Sequence, residues 1–210
     1  MLLLHQPLNM DDTYKTIAAK SEGTYSQLRS KFLAFAAPVR TAEEALAYVA
    51  EIQKKYYDAR HCCYAYMIGA ARETFRANDN GEPSGTAGKP ILGQINSNGL
   101  TNIVIAVVRY FGGIKLGTSG LIQAYRAAAA EAIASAEIVE RTVDVTISIS
   151  FDYLLMNDVM RIVKEEQPEV LGQDFDSVCT MTLSQRSSLM PRLRARLEKL
   201  REVTIADNPA

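Results

Sequence analysis

The sequence predicts an α+β protein of two domains, and three observations carry that expectation. Ile103 through Val108 is an unbroken apolar, β-branched run with the length and composition of a central strand buried on both faces. Directly behind it, the glycine-rich stretch 112–120 opens into an alanine-rich helical segment from about Leu121 to Ala136. Near Glu140 the pattern changes. Val143, Val145, Ile147 and Ile149 alternate with Asp144, Thr146 and Ser148, and a β-α-β-β-α-β succession follows, the order of a small ferredoxin-like domain. The expected division is a loose leader over 1–12, a first domain over 13–138 and a second over 139–210. With 210 residues, 48% of them hydrophobic, the chain can pack these cores without disulfide or metal staples.

Taken in order, residues 13–35 read as two strands with a turn at Ser21-Glu22-Gly23, because polar and apolar positions partly alternate on either side. Thr41-Ala42-Glu43-Glu44 is a capping box. Ala45, Leu46, Val49, Ile52 and Tyr56 recur behind it at helical spacing, so a helix runs to about Tyr57. Arg60 to Gly69 reads as a strand with His61, Cys63, Ala65 and Met67 on one face, which keeps the adjacent His61 and Cys62 from forming a dyad. Residues 77–90, dense in glycine and turn formers, read as a long loop, and Pro90 begins a short helix. In the second domain Asp152 caps a helix carrying Leu155, Val159, Ile162 and Val163. Strands follow around 170–175 and 178–183, then a helix over 189–200 and a short strand at 203–205. Arg192, Arg194, Arg196, Lys199 and Arg201 of that last helix, interspersed with Glu198 and Glu202, read as a solvated face rather than a phosphate contact.

Composition narrows the function. A formal net charge of −1 gives no global basic field, so any nucleic-acid binding must use a local patch. Cys62, Cys63 and Cys179 show no C-x-x-C spacing, and with two histidines they supply no ligand pairing of the usual zinc kind. Reduced thiols packed in cores are expected, with no metal and no cofactor. Leu2, Leu3 and Leu4 are too short an apolar stretch for a signal peptide and no run approaches membrane-spanning length, so the expected protein is soluble and cytoplasmic.

The candidate site lies at the end of the central strand. Arg109, Tyr110, Phe111, Gly112, Gly113, Lys115, Gly117 and Gly120 place two cations and four glycines where a strand feeds a helix, and a helix N-terminus offers N–H donors and partial positive charge to an anion. A second glycine loop, Glu82, Ser84, Gly85, Thr86 and Gly88 with Lys89, feeds another helix; it lacks the G-x-x-x-x-G-K-[ST] spacing of a phosphate-binding P-loop. Arg126 falls in the second turn of the alanine-rich helix. Asp79 and Glu82 read as turn formers or as an acid and base, and His61 as facing either the loops or the core.

The sequence resembles the Impact family, in its bacterial YigZ branch. The resemblance rests on Ser21-Glu22-Gly23, Ser30-Lys31-Phe32, His61-Cys62 with Ala65-Tyr66, Asn78 through Gly88, and above all Val107 through Gly117, and it covers about residues 13–136. It implies a first domain folded like the second domain of ribosomal protein S5 and a second resembling the domains at the far end of elongation factor G. Eukaryotic members act in translation control through a further N-terminal partner-binding domain, which this sequence does not carry, so that role is not expected to transfer. The expected function is therefore RNA or ribosome binding, with Lys89, Arg109, Lys115 and Arg126 meeting phosphate and Tyr110 or Phe111 stacking on a base. The alternatives are an enzyme for a small phosphorylated or carboxylated substrate, using His61, Asp79 or Glu82 for proton transfer and Arg109 for developing charge, and a protein-interaction module.

Overall fold

A computed structural model describes residues 12–176 and 178–208, so all but Asp12 of the expected leader lies outside the described residues. The protein is α+β and its described residues divide into two compact units, one over Tyr14–Arg141 and one over 142–208 together with Asp12 and Thr13.

The first unit is built on a five-stranded antiparallel sheet. Its strands are β2 (Ser21–Gln27), β3 (Ser30–Pro38), β4 (His61–Ile68), β5 (Thr74–Asn78) and β6 (Ile103–Tyr110), in the order β2-β3-β6-β4-β5. The apolar run thus forms the middle strand, buried from Ile103 through Arg109. Helix α1 (Ala42–Lys55) covers one face. Thr41 caps it, its hydroxyl accepting from the Glu44 N–H at 3.2 Å, and Ala45, Tyr48, Val49 and Ile52 meet Tyr64, Tyr66, Val104, Ala106 and Val108. Helices α2 (Gly88–Ser97) and α3 (Gly117–Ala134) cover the other, where Ile91, Ile95, Tyr125 and Ala128 pack on Phe32, Cys63, Ala65, Ile105 and Val107. The alternation along β4 is as the sequence predicts, with Cys63, Ala65 and Met67 on the α2/α3 side and Cys62, Tyr64 and Tyr66 on the other.

Three features depart from expectation. Residues 13–38 form three strands, β1 (Thr13–Ile17), β2 and β3, and Ser21-Glu22-Gly23 lies inside β2. Gly23 serves close approach instead of a turn: a Cβ there would fall 2.3 Å from the Ala132 backbone N of α3. The Ser21 hydroxyl seals the contact, donating to the Ala132 carbonyl at 2.7 Å. The real turn is Leu28-Arg29, both left-handed at φ 46° and 65°, as a two-residue hairpin of the primed type requires. Strand β5 at the sheet edge and β7 (Ile138–Thr142), which pairs with β1, also went unpredicted; both are largely exposed and so lack the buried alternation that marks a strand in sequence.

The second unit runs β8 (Asp144–Phe151), α4 (Met156–Glu166), β9 (Glu169–Phe175), β10 (Cys179–Arg186), α5 (Met190–Glu198) and β11 (Thr204–Asp207), with sheet order β11-β8-β10-β9. Ile147, Ile149, Met181 and Leu183 pack under Val159, Ile162, Leu193 and Leu197. The arginines of α5 are spent internally: Arg192 and Arg196 pair with Glu166, Arg196 also with Glu165, and Arg194 with Asp207. Asp12, expected in the leader, is buried and holds Arg186 through two hydrogen bonds of 2.7 and 2.8 Å.

Two outcomes follow from this packing. Gly23→Ala should cost about 3 kcal/mol in urea unfolding, because backbone cannot yield to the added methyl. The hydrogen bonds from Arg186 and then Ser188 hold the Asp12 carboxyl below its ordinary value of 3.8. A depressed native value means stabilisation that is complete above pH 3.8 and lost as pH falls from there toward the native value. Asp12→Asn should therefore unfold at lower urea at pH 7 and lose less stability than wild type on acidification.

Candidate functional site

The two glycine loops come together at a buried ion pair. Arg109, at the end of β6, donates from Nη1 to Glu82 Oε1 at 2.6 Å; the Glu82 side chain is 4% exposed and that of Arg109 8%. Tyr125 of α3 donates its hydroxyl to the same Glu82 oxygen at 2.8 Å, and the Cys63 thiol donates to the Asp79 carbonyl at 2.9 Å. The guanidinium lies 5.6 Å from the ring centre of Phe32 and 5.7 Å from that of Phe111, cation–π geometry in both cases. Its Nε is buried and has no hydrogen-bond partner. Sequence reasoning gave Arg109 to phosphate; the fold commits much of it to Glu82 and to the aromatic ring that follows it.

The loop 79–87 also closes on itself. The Asp79 carboxylate accepts the backbone N–H groups of Gly85, Ala87 and Gly88 at 2.8, 3.0 and 2.8 Å, filling the N-terminus of α2 with an internal anion. Burial pushes its carboxyl up, but these hydrogen bonds and the charge of Lys89 outweigh it, leaving the group below its ordinary value. Asp79 is thus a latch for the loop, and the donors that Gly85 and Gly88 would have offered an anion are taken.

Helix α3 begins in the opposite condition. Its N-terminus has no side-chain cap and no acidic residue in its first turn, which leaves its donors open to a ligand. Gly117 and Thr118 line a cleft of about 460 Å³ together with Arg60, His61, Lys115 and Phe111. The floor is Glu82 and Arg109, and Pro83, Leu116 and Leu121 supply apolar wall. Arg60 and Lys115 are exposed and make no ion pair among the described residues. Phe111 is 57% exposed, a large ring held at the rim. Gly112 makes that loop possible, since a Cβ would fall 2.0 Å from the Arg29 backbone, and Gly113 and Gly117 take φ of +87° and +70°.

His61 faces the loops. Its Nδ1 is 2.9 Å from the Asn80 carbonyl; a carbonyl only accepts, so Nδ1 carries the proton and the neutral ring keeps its lone pair on Nε2. Tyr110 points away, donating its hydroxyl to Asp58 at 2.8 Å on the α1 side, because neighbours in a strand face opposite ways. Lys89 and Arg126 line a separate shallow groove between α2 and α3, with Gly85 and Ile122. Ser84 is exposed at the loop tip, and Thr86 is buried, its hydroxyl donating to the Pro83 carbonyl at 2.6 Å. Arg60 and Tyr125 were not singled out from sequence: one is a lone cation before a strand, the other a lone aromatic among alanines. Burial pushes the Cys62 thiol up to about 11 and Cys63 higher still, which makes both poor nucleophiles. Among the described residues no His, Cys, Asp and Glu cluster could hold a metal ion, and no helix is long and apolar enough to cross a membrane.

Fold and site define a two-unit α+β protein whose first unit carries an open, cation-rimmed cleft at one end of its sheet. Residues 28–133 match the Impact N-terminal domain. The Bacillus subtilis IMPACT family member YvyE is 36% identical over 155 residues, 74% of this chain and 71% of the relative. Escherichia coli YigZ is 29% identical over 171 residues, 80% and 84% of the two chains. A Thermus thermophilus family member is 50% identical over 105 residues, 50% of this chain and 55% of its own. The crystal structure of a hypothetical protein superposes with TM-score 0.72 at 25% identity, covering 94% of this chain and 98% of that one. The chain belongs to the Impact family.

The buried pair sets a stability expectation. Glu82→Ala, which strands the Arg109 charge, should cost about 3–5 kcal/mol in urea unfolding. Adding Arg109→Met should cost much less than the sum of the two single changes, a coupling that a double-mutant cycle reads directly.

Proposed function

We propose that this protein binds RNA, free or on the ribosome, through the cleft at the start of α3, and so acts in the cytoplasm on translation. The observation that carries the reading is the uncapped N-terminus of α3 opening beside two cations without an ion-pair partner among the described residues, Arg60 and Lys115, and the exposed ring of Phe111. Helix donors and cations suit phosphate oxygens, and an exposed ring suits a base face. Phosphate contact falls to Lys115 and Arg60, stacking to Phe111 rather than Tyr110, while Lys89 and Arg126 offer a separate, weaker patch. In keeping with this reading, we take the first unit as the S5 second-domain type. The second is taken as ferredoxin-like, on its β-α-β-β-α-β order and the arrangement β11-β8-β10-β9.

The test uses a natural blank. The chain contains no tryptophan, so Phe111→Trp introduces a single tryptophan at the rim, excited selectively over the tyrosines at the red edge of absorption. Short single-stranded RNA should quench it, and Arg60→Ala with Lys115→Ala should weaken binding about 10-fold or more. The double change should also flatten the slope of log K against log salt by about 1.4, two contacts at roughly 0.7 each. Unquenched fluorescence and no co-sedimentation with ribosomes at low salt would sink the reading.

A further inference from the structure

The cleft points to a narrower ligand than a length of RNA, and this step rests on the reading just given. We infer that it captures a terminal phosphate monoester carried on a nucleotide, the phosphate at the start of α3 and the base against Phe111.

Four observations lead there. Size comes first: about 460 Å³ is room enough for one small ligand. Charge comes second. The α3 terminus, Lys115 and Arg60 converge on one cleft, and among the described residues the only acid lining it, Glu82, is already matched by Arg109. That surplus suits the dianion of a monoester better than the single charge of an internal phosphodiester. Third, Arg109 lines the same cleft, is 7% exposed, and keeps a buried Nε with no partner. That Nε is closed to water and so to a ligand in the cleft, but the guanidinium, held by Glu82 and flanked by Phe32 and Phe111, gives the cleft a fixed floor on which a compact phosphate can seat. Fourth, the protein as a whole carries a net charge of −1. It has no field to gather a long polyanion, so affinity must come from a compact, well-furnished spot.

His61 completes the chemistry. With Nδ1 held by the Asn80 carbonyl, its second nitrogen accepts a hydrogen bond when neutral and donates one when protonated. A ribose hydroxyl is a suitable donor to the neutral ring, and the phosphate dianion a suitable acceptor from the protonated one.

The experiment titrates Phe111→Trp protein with matched eight-residue RNAs that end in 5′-phosphate, 3′-phosphate or hydroxyl only, with free nucleoside monophosphates, and with inorganic phosphate as competitor. A phosphorylated end should bind at least 10-fold more tightly than the hydroxyl-ended strand, and Lys115→Ala, at an exposed position, should erase that preference. Free nucleoside monophosphates binding as tightly as the phosphorylated strand would support the terminal phosphate and show that the cleft reads a single phosphorylated nucleotide and no further length of strand. Equal binding of all three strands would overturn the terminal-phosphate inference and leave RNA binding standing. Absence of any binding by a folded protein would overturn both.

Discussion

The ion pair between Arg109 and Glu82 is the constraint on which the site depends. Its partners come from the end of the central strand and from a loop 27 residues earlier, and Tyr125 of α3 closes the group from 43 residues beyond Glu82. Burying two charges costs several kcal/mol each, and a pair compensates only when geometry and further hydrogen bonds are good. Here the Glu82 oxygen takes a guanidinium and a phenol, and Phe32 and Phe111 flank the cation. Such a pair is poor as a source of stability and good as a registration device. It allows one arrangement of the two loops, and in that arrangement Phe111 stands at the rim of the cleft.

The two helix N-termini nearby show how one motif type serves two ends. At α2 the Asp79 carboxylate satisfies three backbone donors, so a glycine-rich loop that reads as a phosphate cradle is a closed structural unit. At α3, among the described residues, no side chain caps the first turn, and Arg60 and Lys115 stand beside it without an ion-pair partner. The difference lies wholly in whether an internal anion reaches the donors first. A protein domain cannot leave a buried helix end unsatisfied, whereas an end opening on a cleft can be left to solvent or ligand.

In the second unit the arginines of the last helix are matched within the unit itself. Its basic helix spends Arg192, Arg194 and Arg196 on Glu165, Glu166 and Asp207, and Asp12 does the same for Arg186. Charge density along that helix therefore says little about affinity for phosphate. Ion pairs whose arginine stays in contact with solvent contribute little each, and those of the helix lie across α4, α5 and β11.

The sequence by itself determined the buried middle strand, the capped α1, the alternation along β4 and the order of elements in the second unit, because periodicity and caps are local. It also marked both glycine loops as the place to look. It could not reveal that Ser21-Glu22-Gly23 is strand, since the reason for Gly23 is a helix backbone more than a hundred residues away. Nor could it say which charges are spent. Arg109 and Lys115 look alike on paper; one ends in a buried pair and the other on an open rim. Arg60 and Tyr125 carried no local signal. Tertiary structure decided these points because whether a polar group is satisfied depends on partners brought together by folding, and only what remains unsatisfied is available to a ligand.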